Sequence, residues 1–75
     1  MRELVELLAK SLVDNPDQVS VNVVESDKTL VLELRTAPED MGKVIGKQGR
    51  IARSIRTIVK AAATREGKKV VVDII

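Results

Sequence analysis

With 75 residues, 44% of them apolar and 32% charged, the chain has the make-up of one small folded domain and not of a disordered tail, although burying only about 60% of its unfolded surface leaves a thin stability margin. It has no cysteine, histidine or tyrosine, which excludes disulfides and thiolate or imidazole metal sites and leaves enzyme chemistry little to work with, since the serines have no recognisable base. The net charge of +2 is unevenly spread: Met1 to Gly42 carries four positive residues against nine acids, and Lys43 to Lys69 carries nine against the single Glu66, a polarity that can turn one half toward a polyanion but would also fit two oppositely biased solvated faces.

Leu4, Val5, Leu8, Leu12 and Val13 recur at spacings of three and four, which predicts an amphipathic helix from about Arg2 to Val13. Asp14-Asn15-Pro16 ends it, because the residue before a proline avoids the α region. The period then changes to two. Val19, Val21 and Val23 alternate with polar neighbours, as do Leu30, Leu32 and Leu34, so two half-buried strands are expected, joined by the polar turn Glu25 to Lys28. Pro38 fits a first helical position, with Glu39 and Asp40 placed where the helix dipole favours acids, and a short helix is predicted from Pro38 to Ile45. Gly46 stops it and Gly49 permits an immediate restart. Ile51, Ile55, Ile58, Val59 and Ala62 form the apolar stripe of a longer helix ending near Glu66, with Gly67 as its stop signal, and the β-branched run Lys69 to Ile75 reads as a third strand.

The order α-β-β-α-α-β predicts an α+β fold in which three helices pack on one face of a three-stranded sheet, within a single domain spanning 1–75. Pairing beyond the hairpin is left open by the sequence, but a strand delivered through a helical pair favours a mixed sheet. No apolar run approaches the roughly 20 residues of a bilayer span, and MRELVELLAK lacks the apolar centre of a signal peptide. A cytoplasmic location and no membrane contact are expected.

The informative segment is the corner Gly46-Lys47-Gln48-Gly49 between the second and third helices. Two glycines three apart allow the backbone of another molecule to come close, and amides at the start of the following helix point toward an approaching anion. The bland alternative is a tight turn whose glycines answer only to backbone geometry. A nucleotide-binding P-loop is rejected: it needs four residues between its glycines and a hydroxyl after the lysine, whereas Gly42 and Gly46 enclose three and Gln48 follows Lys47. Arg50, Arg53, Arg56 and Lys60 run from the corner along one face of the third helix. Such a row can be plain solubilisation; its start at the corner favours phosphate contact from Arg50 and Arg53. Val44, Ile45 and Ile55 read first as core, and some of them also as one wall of a groove. The complete absence of aromatic residues excludes base-stacking platforms of the RRM or OB type. The candidate nucleic-acid-binding set is therefore Lys43, Ile45, Gly46, Lys47, Gln48, Gly49, Arg50 and Arg53, with no catalytic residue, cofactor or metal expected.

The segment Val44 to Ile55 resembles the VIGxxGxxI signature of KH domains, and the element order is similar to the type II arrangement. A chain that is little more than one such domain resembles the small bacterial KhpA (YlqC-type) family of RNA-binding proteins. The resemblance implies that Gly46, Lys47, Gln48 and Gly49 clamp the backbone of about four nucleotides of single-stranded RNA, and that Ile45 and Ile55 support the groove. One position departs from the signature: Ala52 stands where isoleucine is favoured, with Ile51 one residue earlier, which implies a shallower wall. The resemblance also implies a homodimer, or a heterodimer with a larger KH-containing Jag-type protein, and a role in post-transcriptional regulation touching cell envelope and division. Two readings stay open: capture of single-stranded RNA, or an interaction subunit for which RNA contact is secondary. A pure adaptor would not need Lys47 between intact glycines.

Overall fold

The computed structural model describes residues 1–75, in the order α1 (Arg2–Leu12), β1 (Ser20–Ser26), β2 (Thr29–Arg35), α2 (Met41–Ile45), α3 (Arg50–Arg65) and β3 (Lys69–Ile74). Short 3-10 turns stand at Pro16–Gln18, Pro38–Asp40 and Lys47–Gly49. The sheet order is β1-β2-β3, with β1 and β2 antiparallel and β2 and β3 parallel. This is the mixed sheet the sequence favours: a parallel neighbour cannot be reached by a hairpin, and α2 and α3 supply the crossover.

Strand register sorts the side chains into two faces. On the covered face Val21 stands beside Leu34 and Ile74, and Val23 beside Leu32 and Val72. Leu32 and Leu34 are fully buried on the central strand, and Val5 and Ala9 of α1, Val44 of α2, and Ile55 and Val59 of α3 close over them. Each large aliphatic side chain taken out of water contributes about 1.5–3 kcal/mol, so this small cluster carries most of the stability. On the other face Val24, Val31 and Val71 line up in one row, followed by Asn22, Glu33 and Asp73 in the next; no helix covers it.

Three boundaries and the exposure of one residue depart from the sequence reading. The first helix stops at Leu12, and Val13 is already extended. The hairpin turn is tighter than Glu25 to Lys28, because Ser26 pairs with Thr29 and only Asp27 and Lys28 remain in the turn. The segment Pro38–Ile45 splits into a 3-10 turn and a five-residue helix. Val23, placed by the alternation on the buried face, is 41% exposed, although Val21 on the same face of β1 is only 8% exposed and Leu32, the partner of Val23, is fully buried.

Asp40 is the larger surprise. Expected at a helix start, it is fully buried. The backbone N–H groups of Asp14 and Asn15 and the Asn15 side-chain amide donate to its carboxylate, at 3.3, 3.0 and 3.0 Å. It thereby ties the end of α1 to the start of α2, which sets the direction from which the chain enters the glycine corner.

Candidate nucleic-acid interface

At the corner the backbone leaves the helical region three times. Gly46 has φ 76° and ψ 173°, Gln48 φ 58° and ψ 26°, and Gly49 φ 71° and ψ 15°. The first pair belongs to a region that is essentially glycine's alone. The Gly46 N–H donates to the Gly42 carbonyl at 2.8 Å and the Gly49 N–H to the Gly46 carbonyl at 3.1 Å, while the Arg50 N–H donates to Lys47. These bonds make the turn a defined object. No side chain caps the N-terminus of α3, so the positive end of a 16-residue helix opens onto the corner.

The two glycines differ in their surroundings. A Cβ on Gly46 would lie 2.5 Å from Cγ1 of Ile51, whereas one on Gly49 would meet nothing within 4 Å. The turn-geometry reading thus accounts for Gly46, which Ile51 packs against, and the open approach belongs to Gly49. Lys47, Gln48, Arg50 and Arg53 are exposed, and Arg50 Nη2 reaches back to Gln48 Oε1 at 3.5 Å. Ile45 is 38% exposed beside them, while Val44 and Ile55 are buried. Of the three apolar residues flanking the corner, only Ile45 presents surface. Ala52 is 4% exposed, so the position that departs from the KH signature faces the core.

Lys43 does not join this group. Its ammonium pairs with Asp14 and lies 3.6 Å from Asp40 Oδ1. The hydrogen bond to Asp14 raises its pKa above the ordinary 10.5, against a smaller opposing effect of desolvation. Burial pushes the Asp40 carboxyl up, but the hydrogen bonds from Asn15 and Asp14, helped by Lys43, outweigh it and hold the group below its ordinary 3.8. This cluster is a clasp between α1 and α2. Sequence reading missed it, because an acid after Pro38 carries the same local signal whether it caps a helix or holds a distant segment.

The other ion pairs within 4 Å join Met1 to Glu3 and Lys10 to Glu6. From Lys47 onward no positive side chain has an acid partner. Arg56 is anchored differently: its Nε donates to the Val72 carbonyl on β3 at 3.2 Å. No three carboxylates gather where they could hold a metal, and no helix is long and apolar enough to cross a membrane. What the corner offers is an uncapped helix start, an open glycine and a set of unneutralised cations, an arrangement that can accept a phosphate backbone.

Residues 2–74 match the family described as KhpA/KhpB, KH domain. The chain is similar to proteins named RNA-binding protein KhpA: 67% identical to that of Clostridium perfringens over 75 residues, covering all of both chains, and 55% identical to that of Aquifex aeolicus, covering all of this chain and 95% of the other. Among solved structures it is similar to Era of Aquifex aeolicus bound to GDP.AlF4- (TM-score 0.60, 22% identity). A second likeness is to Era in complex with MgGDPNP and nucleotides 1506–1542 of 16S ribosomal RNA (TM-score 0.61, 22% identity). Each covers 97% of this chain, which spans 28% of the Era chains. At that identity the likeness speaks for the fold alone.

Proposed function

This chain belongs to the KhpA/KhpB KH-domain family, and we propose that it is a non-enzymatic protein that captures short single-stranded RNA at the corner Gly46–Gly49. The observation that carries the reading is that Lys47, Arg50 and Arg53, none with an acid partner, stand at a glycine with open space around it. The sugar-phosphate backbone lies against Gly49, Lys47, Arg50 and Arg53 neutralise phosphates, and the exposed flank of Ile45 offers apolar contact to a base. Without aromatic residues there is no stacking platform, so affinity comes chiefly from electrostatics and falls steeply with salt as counterions are released. In this reading the protein acts in the cytoplasm in post-transcriptional regulation, with effects on cell envelope and division.

The test replaces Lys47 and Gln48 together by Asp. Both side chains are exposed, so the fold, followed by circular dichroism and thermal melting, is expected to persist while binding to a short unstructured RNA is lost through repulsion of the phosphates. A folded double variant that still binds would move the site elsewhere.

A second reading has its own observation. The uncovered sheet face exposes Val24 and Val71 at 45% and 41% in one row with Val31, which favours pairing with a second copy or with a larger KH-containing Jag-type protein. In that reading RNA contact is secondary.

A further inference from the structure

We propose that Lys60, Lys68 and Lys69 form a second phosphate-contact point at the far end of the α3–β3 flank, so that bound RNA runs well past the glycine corner. The inference rests on the RNA-capture reading above and extends it. Four observations carry it.

Arg53, Arg56 and Lys60 succeed one another at spacings of three and four on exposed positions of α3, and helical geometry puts them on one flank. That flank is the one beside β3, because Arg56 Nε donates to the Val72 carbonyl. β3 is an outer strand of the sheet, so nothing further out closes the path. At the end of the path Lys60, Thr64, Lys68 and Lys69 line one hollow together with Val70, and no acid lines it. Glu25 and Asp27 of the β1–β2 turn share a separate hollow with Lys68 and Lys69 but pair with neither.

Distance decides whether this is part of the corner or a second contact. The 16 residues of α3 span about 24 Å at 1.5 Å per residue, or about seven nucleotides at the 3.4 Å spacing of a stacked strand. The corner by itself holds about four. A ligand clamped there cannot reach Lys68 and Lys69 unless it is longer. Arg56 sits between the two ends, held to the Val72 carbonyl with no acid partner, so no carboxylate interrupts the path. An acidic peptide could meet the same lysines, but continuity with the glycine corner along one helix flank favours a phosphate backbone.

The experiment compares fluorescein-labelled, degenerate-sequence ribo-oligomers of four and ten nucleotides, titrated at several salt concentrations. The wild-type protein is expected to bind the decamer more tightly, with a salt slope steeper by about 2, from −0.7 per phosphate for three added contacts. The slope is the deciding readout, since a longer oligomer gains affinity from extra binding registers without changing it. The variant Lys60→Gln/Lys68→Gln/Lys69→Gln should bind the tetramer as before and lose the additional slope. A control that removes the same charge from the other half of the molecule, Arg2→Gln/Lys10→Gln/Arg35→Gln, should keep it. Circular dichroism verifies both folds. The proposal is overturned if the lysine variant keeps the steeper decamer slope, if it weakens tetramer and decamer equally, if the control loses the slope as well, or if the wild type shows the same slope for both lengths. Failure of the wild type to bind either oligomer at low salt would instead sink the RNA-capture reading, and this inference with it.

Discussion

A methyl group added at Gly46 would land among Cβ, Cγ1 and Cδ1 of Ile51, between 2.5 and 2.9 Å away, and φ 76° with ψ 173° adds backbone strain. One added at Gly49 would stand in open space at φ 71°. The physical costs differ accordingly. Gly46→Ala combines overpacking with a forbidden conformation and should lose about 2–4 kcal/mol of stability. Gly49→Ala meets only the left-handed backbone penalty, about 1–2 kcal/mol, and should remain folded while weakening RNA binding, because its methyl occupies the space a sugar-phosphate backbone would use. Urea unfolding and RNA titration of both variants check this. Equal stability loss at the two sites would refute the role given to Ile51. The G-x-x-G string was legible in the sequence; which glycine serves packing and which serves approach was not, since that depends on where one isoleucine side chain points.

Among the elements, the joint between α1 and α2 is the one governed by charge. The Asp40 carboxylate accepts three hydrogen bonds from Asp14 and Asn15, and its pKa is lowered in the folded state. The sign follows by linkage. A depressed folded pKa contributes stability that is fully present above the unfolded value near 3.8 and is lost as pH falls from there through the lower folded value. For Lys43 the folded pKa is raised, so its contribution holds below 10.5 and fades as pH rises through the folded value above it. Calorimetric Tm as a function of pH should therefore fall in acid for the wild type. Asp40→Asn should melt lower at pH 7 and show a shallower acid loss; an identical acid profile would remove Asp40 from the account. Glu3 and Glu6 also titrate low, which is why the comparison with Asp40→Asn, and not the wild-type profile alone, isolates the clasp.

At the scale of the whole molecule, all three helices lie on one side of the sheet and leave the valine row on the other exposed. For a 75-residue chain with a total stability of about 4–11 kcal/mol at 0.05–0.15 kcal/mol per residue, covering that row would be a sizeable gain. A twofold axis along the row would set Val71 against Val71, a self-complementary arrangement of the kind an isologous dimer requires. Sedimentation at micromolar concentration is expected to give a dimer, abolished by Val71→Asp in a protein that stays folded by circular dichroism. The outer surface of α3, where Ile58 is 45% exposed near Thr57 and Ala61, is the competing face. Ile58→Asp distinguishes the two: a dimer lost in that variant and kept in Val71→Asp would assign the contact to α3.

Element order, the placing of three helices on one sheet face and the corner at Gly46–Gly49 were determined by the sequence itself. The signals are local: a period of two or 3.6, prolines that open a helical turn, and glycines that end one. The tertiary structure alone decided that Asp40 is buried and Lys43 committed to it, that Ile51 packs against Gly46, and that Arg56 reaches the β3 carbonyl at Val72. It also decided that Lys60 shares a hollow with Lys68 and Lys69. Each of these depends on partners brought together by chain closure, Asp40 with residues 25 and 26 positions away and Arg56 with one 16 away. A charged side chain carries the same local pattern whether it ends up solvated, clasping a neighbouring helix or lying along a strand edge, because the choice is made by the desolvation and hydrogen bonding it meets only after the layers have packed.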